Sequence, residues 1–175
     1  MMKELIDRYP KYARGEESVR LVLIGSSRNE EDEERIQKLK NKAVELEVQA
    51  QVEFIINASY DTLVGYLSRS LIGLHTMNHE HFGISIVEYM AAGLIPVANN
   101  SGGPKMDIVV NHEDEITGFL AQEKEEFAES VHRILDMSHA ERIRIQENAR
   151  KSVVSKFSES AFESSFLDAV KPLFS

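Results

Sequence analysis

Leu21-Val22-Leu23-Ile24 is an uncharged run of good strand formers that stops at Gly25-Ser26-Ser27, and a charged, periodic stretch follows it. The run reads as a strand buried on both faces. From Asn29, acidic residues fill a first helical turn, where the helix dipole favours them, and Ile36, Leu39, Ala43 and Leu46 recur at helical spacing. The pattern then repeats. Val52–Ile56 reads as a second strand, followed by Ser59 as an N-cap and a helix carrying Leu63, Tyr66 and Leu67. Leu71–His75 reads as a third strand, 76–82 as a polar loop, Gly83–Ala92 as a helix ended by Gly93 at C′, and Leu94–Ala98 as a fourth strand. Strands alternating with helices predict right-handed crossovers and an α/β, Rossmann-like parallel sheet covered by helices on both faces.

The rest of the chain fits this plan with one conflict. Pro96 cannot donate to a ladder, which predicts an edge position or a strand start for its run. A turn-rich loop, 99–104, and a helical turn around Met106–Val110 follow, with Gly118–Leu120 as a short fifth strand. Glu123–Met137, Ser138–Phe157 and Ser158–Leu173 read as helices, the last two N-capped by serine. Without a linker, low-complexity stretch or repeat, residues 1–175 read as one domain.

Charge and composition narrow the function. Twenty basic against twenty-nine acidic residues, a net charge of −9, disfavour the broad positive field that nucleic acid needs, so an anionic ligand has to be held locally. With no cysteine there are no disulfides, thiolate metal sites or cysteine nucleophiles, and a reducing compartment is permitted. No apolar run approaches the ~18–20 residues of a membrane span, and the opening MMKELIDRYPKY lacks a signal-peptide core, so the chain is expected neither to cross a membrane nor to be secreted.

In an open parallel sheet, ligands bind beyond the carboxyl ends of the strands, which points to the loops after Gly25, Ile56, His75 and Ala98. The third of these runs Thr76-Met77-Asn78-His79-Glu80-His81-Phe82-Gly83 straight into a helix. Gly83 permits close approach, and the free N–H groups of the first helical turn can hold phosphate. Glu80 in the loop and Glu88 on the helix could accept sugar or ribose hydroxyls, or be ordinary solvated acids. His75, His79 and His81 lack a helical two-histidine metal spacing, and no metal is expected. Ser101-Gly102-Gly103-Pro104 is either a second backbone cradle or a simple turn. Asn57-Ala58-Ser59 matches a glycosylation sequon, but a strand end is a poor acceptor.

The run HEHFGISIVEYMAAGLIPVANNSGGP, residues 79–104, resembles the donor-site signature of retaining GT-B glycosyltransferases of family 4: two glutamates with seven residues between them, Phe-Gly after the first, then E-Y-M-A-A-G, P-V-A and a G-G-P turn. LVLIGSSRNEEDEERIQKLKNKAVELEVQAQVEF, IGLHTMNHEHFGI, NNSGGPKMDIVV and ITGFLA are similar to members that make α-1,2 mannosyl linkages, and the likeness runs from about residue 18 to 173. It implies the C-terminal, nucleotide-sugar-binding half of a two-domain enzyme, with GDP-mannose as donor and a dolichol-linked oligosaccharide as acceptor, the latter through the other half. By that pattern Glu88 would hold the ribose hydroxyls, Glu80 would act as the catalytic carboxylate on the transferred sugar, and the N–H groups of Phe82, Gly83 and Ile84 would receive the diphosphate, with His81 and Ser85 beside them. The nucleotide base would lie near Asn57–Ser59. The resemblance also implies work at the cytosolic face of the endoplasmic reticulum without a cofactor.

Two departures stand out. Members of the family begin this domain with a strand and a following Arg/Lys pair, whereas MMKELIDRYPKYARGEESVR reads as the helix after such a strand, with only Lys3, Arg8, Lys11, Arg14 and Arg20 nearby. Ser85 stands where glycine is usual, adding a hydroxyl beside the phosphate cradle. A non-catalytic nucleotide-sugar-binding module, or a transferase using another nucleotide-glucose donor, would present the same pattern.

Overall fold

A computed structural model describes residues 1–174; Ser175, the end of the expected domain, lies outside them. Five strands, β1 (Leu21–Gly25), β2 (Val52–Ile56), β3 (Ile72–His75), β4 (Ile95–Asn99) and β5 (Phe119–Ala121), alternate with helices. The helices are α1 (Met2–Arg8), α2 (Glu30–Glu45), α3 (Tyr60–Arg69), α4 (Ile84–Ala92), α5 (Lys124–Asp136), α6 (His139–Phe157) and α7 (Glu159–Val170). All strand pairs are parallel. Side chains of Asn29, Ser59, Ser138 and Ser158 cap α2, α3, α6 and α7, and Gly93 ends α4 at φ 91°. The turn expected around Met106–Val110 is a π-type turn over Pro104–Ile108.

The expected single sheet is divided. β1 pairs only with β2, while β3, β4 and β5 form a second sheet with β4 in the middle. Ala43 of α2 joins Met2, Leu5, Phe127 and Ala128 over Ile95 and Val97, whereas Ile86, Met90, Ala149 and Val153 of α4 and α6 cluster with Ala98 on the opposite face. β1 and β3 each keep an edge that has no ladder among the described residues. No strand precedes β1 among the described residues, where α1 and a 3-10 turn at Pro10–Tyr12 stand instead.

This division corrects two expectations. The apolar residues of β1 are half-buried, not fully buried, because one neighbour is lacking; every residue of β4, flanked on both sides, is buried. Over the two-stranded sheet, Leu39 of α2 stays 53% exposed. Of the two positions expected for Pro96, the edge is corrected, since β4 is central, while Pro96 does stand near the strand's start, as its second residue. Ile95 N–H donates to Leu71 O on the β3 side, so the next backbone nitrogen faces β5. There the ladder begins only at Val97–Phe119, and a Cβ on Gly118 would meet the Pro96 ring at 2.4 Å. The missing donor falls where no partner was waiting.

Candidate functional site

Four loops follow the carboxyl ends of β1, β2, β3 and β4, and the structure locks those after β3 and β4 together. His79 N–H donates to Ser101 Oγ (2.9 Å), and Gly103 N–H donates to Glu80 O (2.9 Å). A Cβ on Gly103 would lie 2.4 Å from His81 O and 2.5 Å from Phe82 Cα. Asn100 N–H and Ser101 N–H are bonded to Ala121 O and Asn99 O. With the Asn100, Ser101 and Gly103 amides occupied, 99–103 buttresses the loop after β3, which favours the turn of the two readings of that segment. A separate bond, Ser27 N–H to Asn57 Oδ1 (2.9 Å), ties the loops after β1 and β2. Asn57 is thereby engaged at φ 54°, and Ser59 caps α3.

The two glutamates differ in surroundings. Glu80 is half-buried, with Oε2 3.6 Å from His75 Nε2 at the end of β3. Glu88 is exposed on α4 and has no salt bridge or side-chain hydrogen bond among the described residues. Two polar atoms at the ends of β1 and β3, Ser27 Oγ and His75 Nδ1, are buried without a partner.

Gly83 opens α4 at φ 101° with no side-chain cap, a conformation that suits glycine. Its missing Cβ would lie 2.9 Å from Ile86 Cδ1 and 3.4 Å from Glu80 Cγ. Ile86 N–H is bonded to Gly83 O, while Ile84 and Ser85 N–H have no acceptor among the described residues. Those donors and the dipole of α4 suit an anion. Phe82 packs edge-on against Phe157 of α6, with ring centroids 5.4 Å apart. His81 and Ile84 are exposed beside it, and Ser85 is half-buried. Burial, with a smaller push from the Glu88 carboxylate against an opposing Ser85 contact, raises the Tyr89 hydroxyl above its ordinary pKa.

Of the basic residues near the amino end, Lys3, Arg8, Lys11 and Arg20 are paired with Asp7, Glu4, Glu17 and Glu53. Arg20 directly precedes β1, at the opposite end of the sheet from Glu80. No group of three or more His, Cys, Asp or Glu side chains is arranged to hold a metal ion among the described residues. Among those residues, no helix is long and apolar enough to cross a membrane. The role of Asn99, which accepts from Ser101 (2.6 Å), is one that sequence reading missed; its position at the end of a buried run was the available signal.

Residues 2–152 match the model of the family described as glycosyl transferases group 1. The chain belongs to this family. Among similar group 1 relatives, the human GDP-Man:Man(3)GlcNAc(2)-PP-Dol alpha-1,2-mannosyltransferase is 54% identical over 157 residues, 90% of this chain and 32% of its own length. The Dictyostelium discoideum protein of the same name is 46% identical over 98% of this chain and 33% of its own. The chain thus spans about a third of the length of these relatives. Among solved structures, the C-terminal domain of a glycosyl transferase group 1 protein, LpcC from Francisella tularensis, superposes with a TM-score of 0.68 at 21% identity, covering 90% of this chain and 78% of that one. Anabaena HepE, in complex with UDP, gives 0.75 at 22% identity, covering 97% of this chain and 44% of that one. The fold is that of the C-terminal half of a GT-B glycosyltransferase, parallel sheets flanked by helices.

Proposed function

We propose that the chain is the donor-binding part of a retaining α-1,2-mannosyltransferase that moves mannose from GDP-mannose to a dolichol-linked oligosaccharide in N-glycan precursor synthesis. The observation that carries the reading is the side-by-side placement of the unbonded N–H groups of Ile84 and Ser85 and the half-buried Glu80 in one loop-to-helix junction. The names and identities of the relatives supply the donor and acceptor.

In this reading the bond that breaks joins the anomeric carbon to the β-phosphate oxygen, and negative charge grows on the departing diphosphate. Amides held in the first turn of α4 stabilise that charge without reorganising, so they favour the transition state over the ground state. Phe82 and Gly83 shape the approach. Glu80 accepts hydroxyls of the mannose, Glu88 takes the ribose diol, His81 and Ser85 flank the phosphates, and the guanine lies toward Asn57–Ser59. The reading assigns charge stabilisation within this chain to the amides of α4, with no metal or other cofactor; transfer that persists in excess chelator tests this.

The acceptor wall and the membrane attachment belong to the two-thirds of the relatives that this chain does not cover, and the site of action is the cytosolic face of the endoplasmic reticulum. An N-glycan on Asn57 in cells would place the chain in the lumen and contradict the location. Titration calorimetry with GDP-mannose, GDP and UDP-glucose tests the donor assignment: GDP ligands bind and UDP-glucose does not. Equal binding of UDP-glucose would overturn the choice of donor.

A further inference from the structure

Glu80 sits in a loop whose other residues, 76–79 and 81–82, are exposed. Residues 76–79, which lead into Glu80, belong to neither hydrophobic cluster, and the Phe82 ring on Phe157 holds the segment only beyond it, yet a carboxylate that addresses a sugar has to be fixed to within a fraction of an ångström. His79, just before it, is in the left-handed region at φ 56°, a costly conformation for a residue with a Cβ. Something outside the loop must hold it there.

The bonds on either side of Glu80 lead to one place. His79 N–H donates to Ser101 Oγ at 2.9 Å, and that hydroxyl donates its own proton to Asn99 Oδ1 at 2.6 Å. Asn99 is the last residue of β4, the central strand, and is 4% exposed. One residue on, Glu80 O accepts from Gly103 N–H. The carboxylate itself reaches His75 at the end of β3. Ser101 belongs to neither hydrophobic cluster, so the core does not depend on it.

We propose that Ser101 is a positioning residue for Glu80: its hydroxyl relays the buried end of β4 to the His79 amide and so sets where the Glu80 carboxylate stands. The proposal rests on the donor-site reading above. The relay requires a group that accepts and donates at once, which alanine removes and threonine keeps. The diphosphate donors stand on α4, one residue and more past Gly83, so the effect of losing the relay falls on the sugar.

The test is calorimetric titration of GDP and GDP-mannose into the unaltered chain and into Ser101→Ala, Ser101→Thr, Glu80→Gln and the Ser101→Ala/Glu80→Gln double variant, with melting curves for each. Ser101→Ala is expected to weaken GDP-mannose by about tenfold and GDP by no more than about twofold, Thr to bind as the unaltered chain does, and the double variant to lose no more than Glu80→Gln alone. Equal losses for both ligands, losses that add in the double variant, or no loss at all would overturn the positioning role while leaving the donor site standing. Failure of the unaltered chain to bind either ligand would instead overturn the donor-site reading, and this proposal with it.

Discussion

Gly102 lies against the backbone of Glu80 so closely that a Cβ on it would stand 2.0 Å from the Glu80 carbonyl oxygen. Gly102 is also at φ 51°, so alanine there is strained by its own backbone as well as by its neighbour. Gly102→Ala is expected to push the two loops apart, costing about 1–3 kcal/mol of stability and more than a tenfold loss of GDP-mannose affinity. Thermal melting and calorimetry on the same sample check both. Unchanged binding would show that the loop can move without consequence.

Glu88 is expected to behave oppositely. It has no partner to lose within the described residues, so Glu88→Gln leaves the melting temperature within about a degree of the parent. Two charge-assisted bonds to a ribose diol are worth roughly 1.5–3 kcal/mol each, so weakening them lowers GDP affinity about tenfold or more. Parent-like GDP binding with a lower melting temperature would make Glu88 a structural residue.

The isolated 175 residues are expected to bind donor and transfer nothing, because productive transfer needs both walls of a cleft. Turnover of GDP-mannose onto a lipid-linked acceptor by this chain alone would sink the claim.

Asp32 provides a pH test of the fold beside β1. The Arg28 backbone N–H first, then the Arg28 guanidinium, hold its carboxyl below the ordinary carboxylate range. A group depressed on folding contributes stability that is present above its unfolded pKa, about 3.9, and lost as pH falls through the folded value. Asp32→Asn is therefore expected to melt a few degrees lower than the parent at pH 7, with the difference closing on acidification below about pH 4. A constant difference across that range would mean that the charge is not the cause.

Local signals made much of this architecture readable in advance. Apolar runs marked all five strands, Ser59, Ser138 and Ser158 marked helix starts, and Gly93 marked a stop, because each feature is decided within a few residues. The division of the sheet was not readable, since it depends on which strand finds a neighbour. That Pro96 stands in a central strand rather than at an edge was hidden for the same reason: its tolerance there is set by Gly118, twenty-two positions away. At the site, Glu80, Gly83 and Glu88 stand in one short motif, whereas the Asn99–Ser101–His79 relay joins two loops that no local pattern connects.

The unladdered edges of β1 and β3 also govern how this chain behaves in company. Leu21-Val22-Leu23-Ile24 carries no charge and no proline, the devices by which natural edge strands refuse strangers. An unladdered row of N–H and C=O groups beside such a run is a template for one more parallel strand. A lysine at Val22 would disfavour that added pairing, at the expense of the strand's own packing.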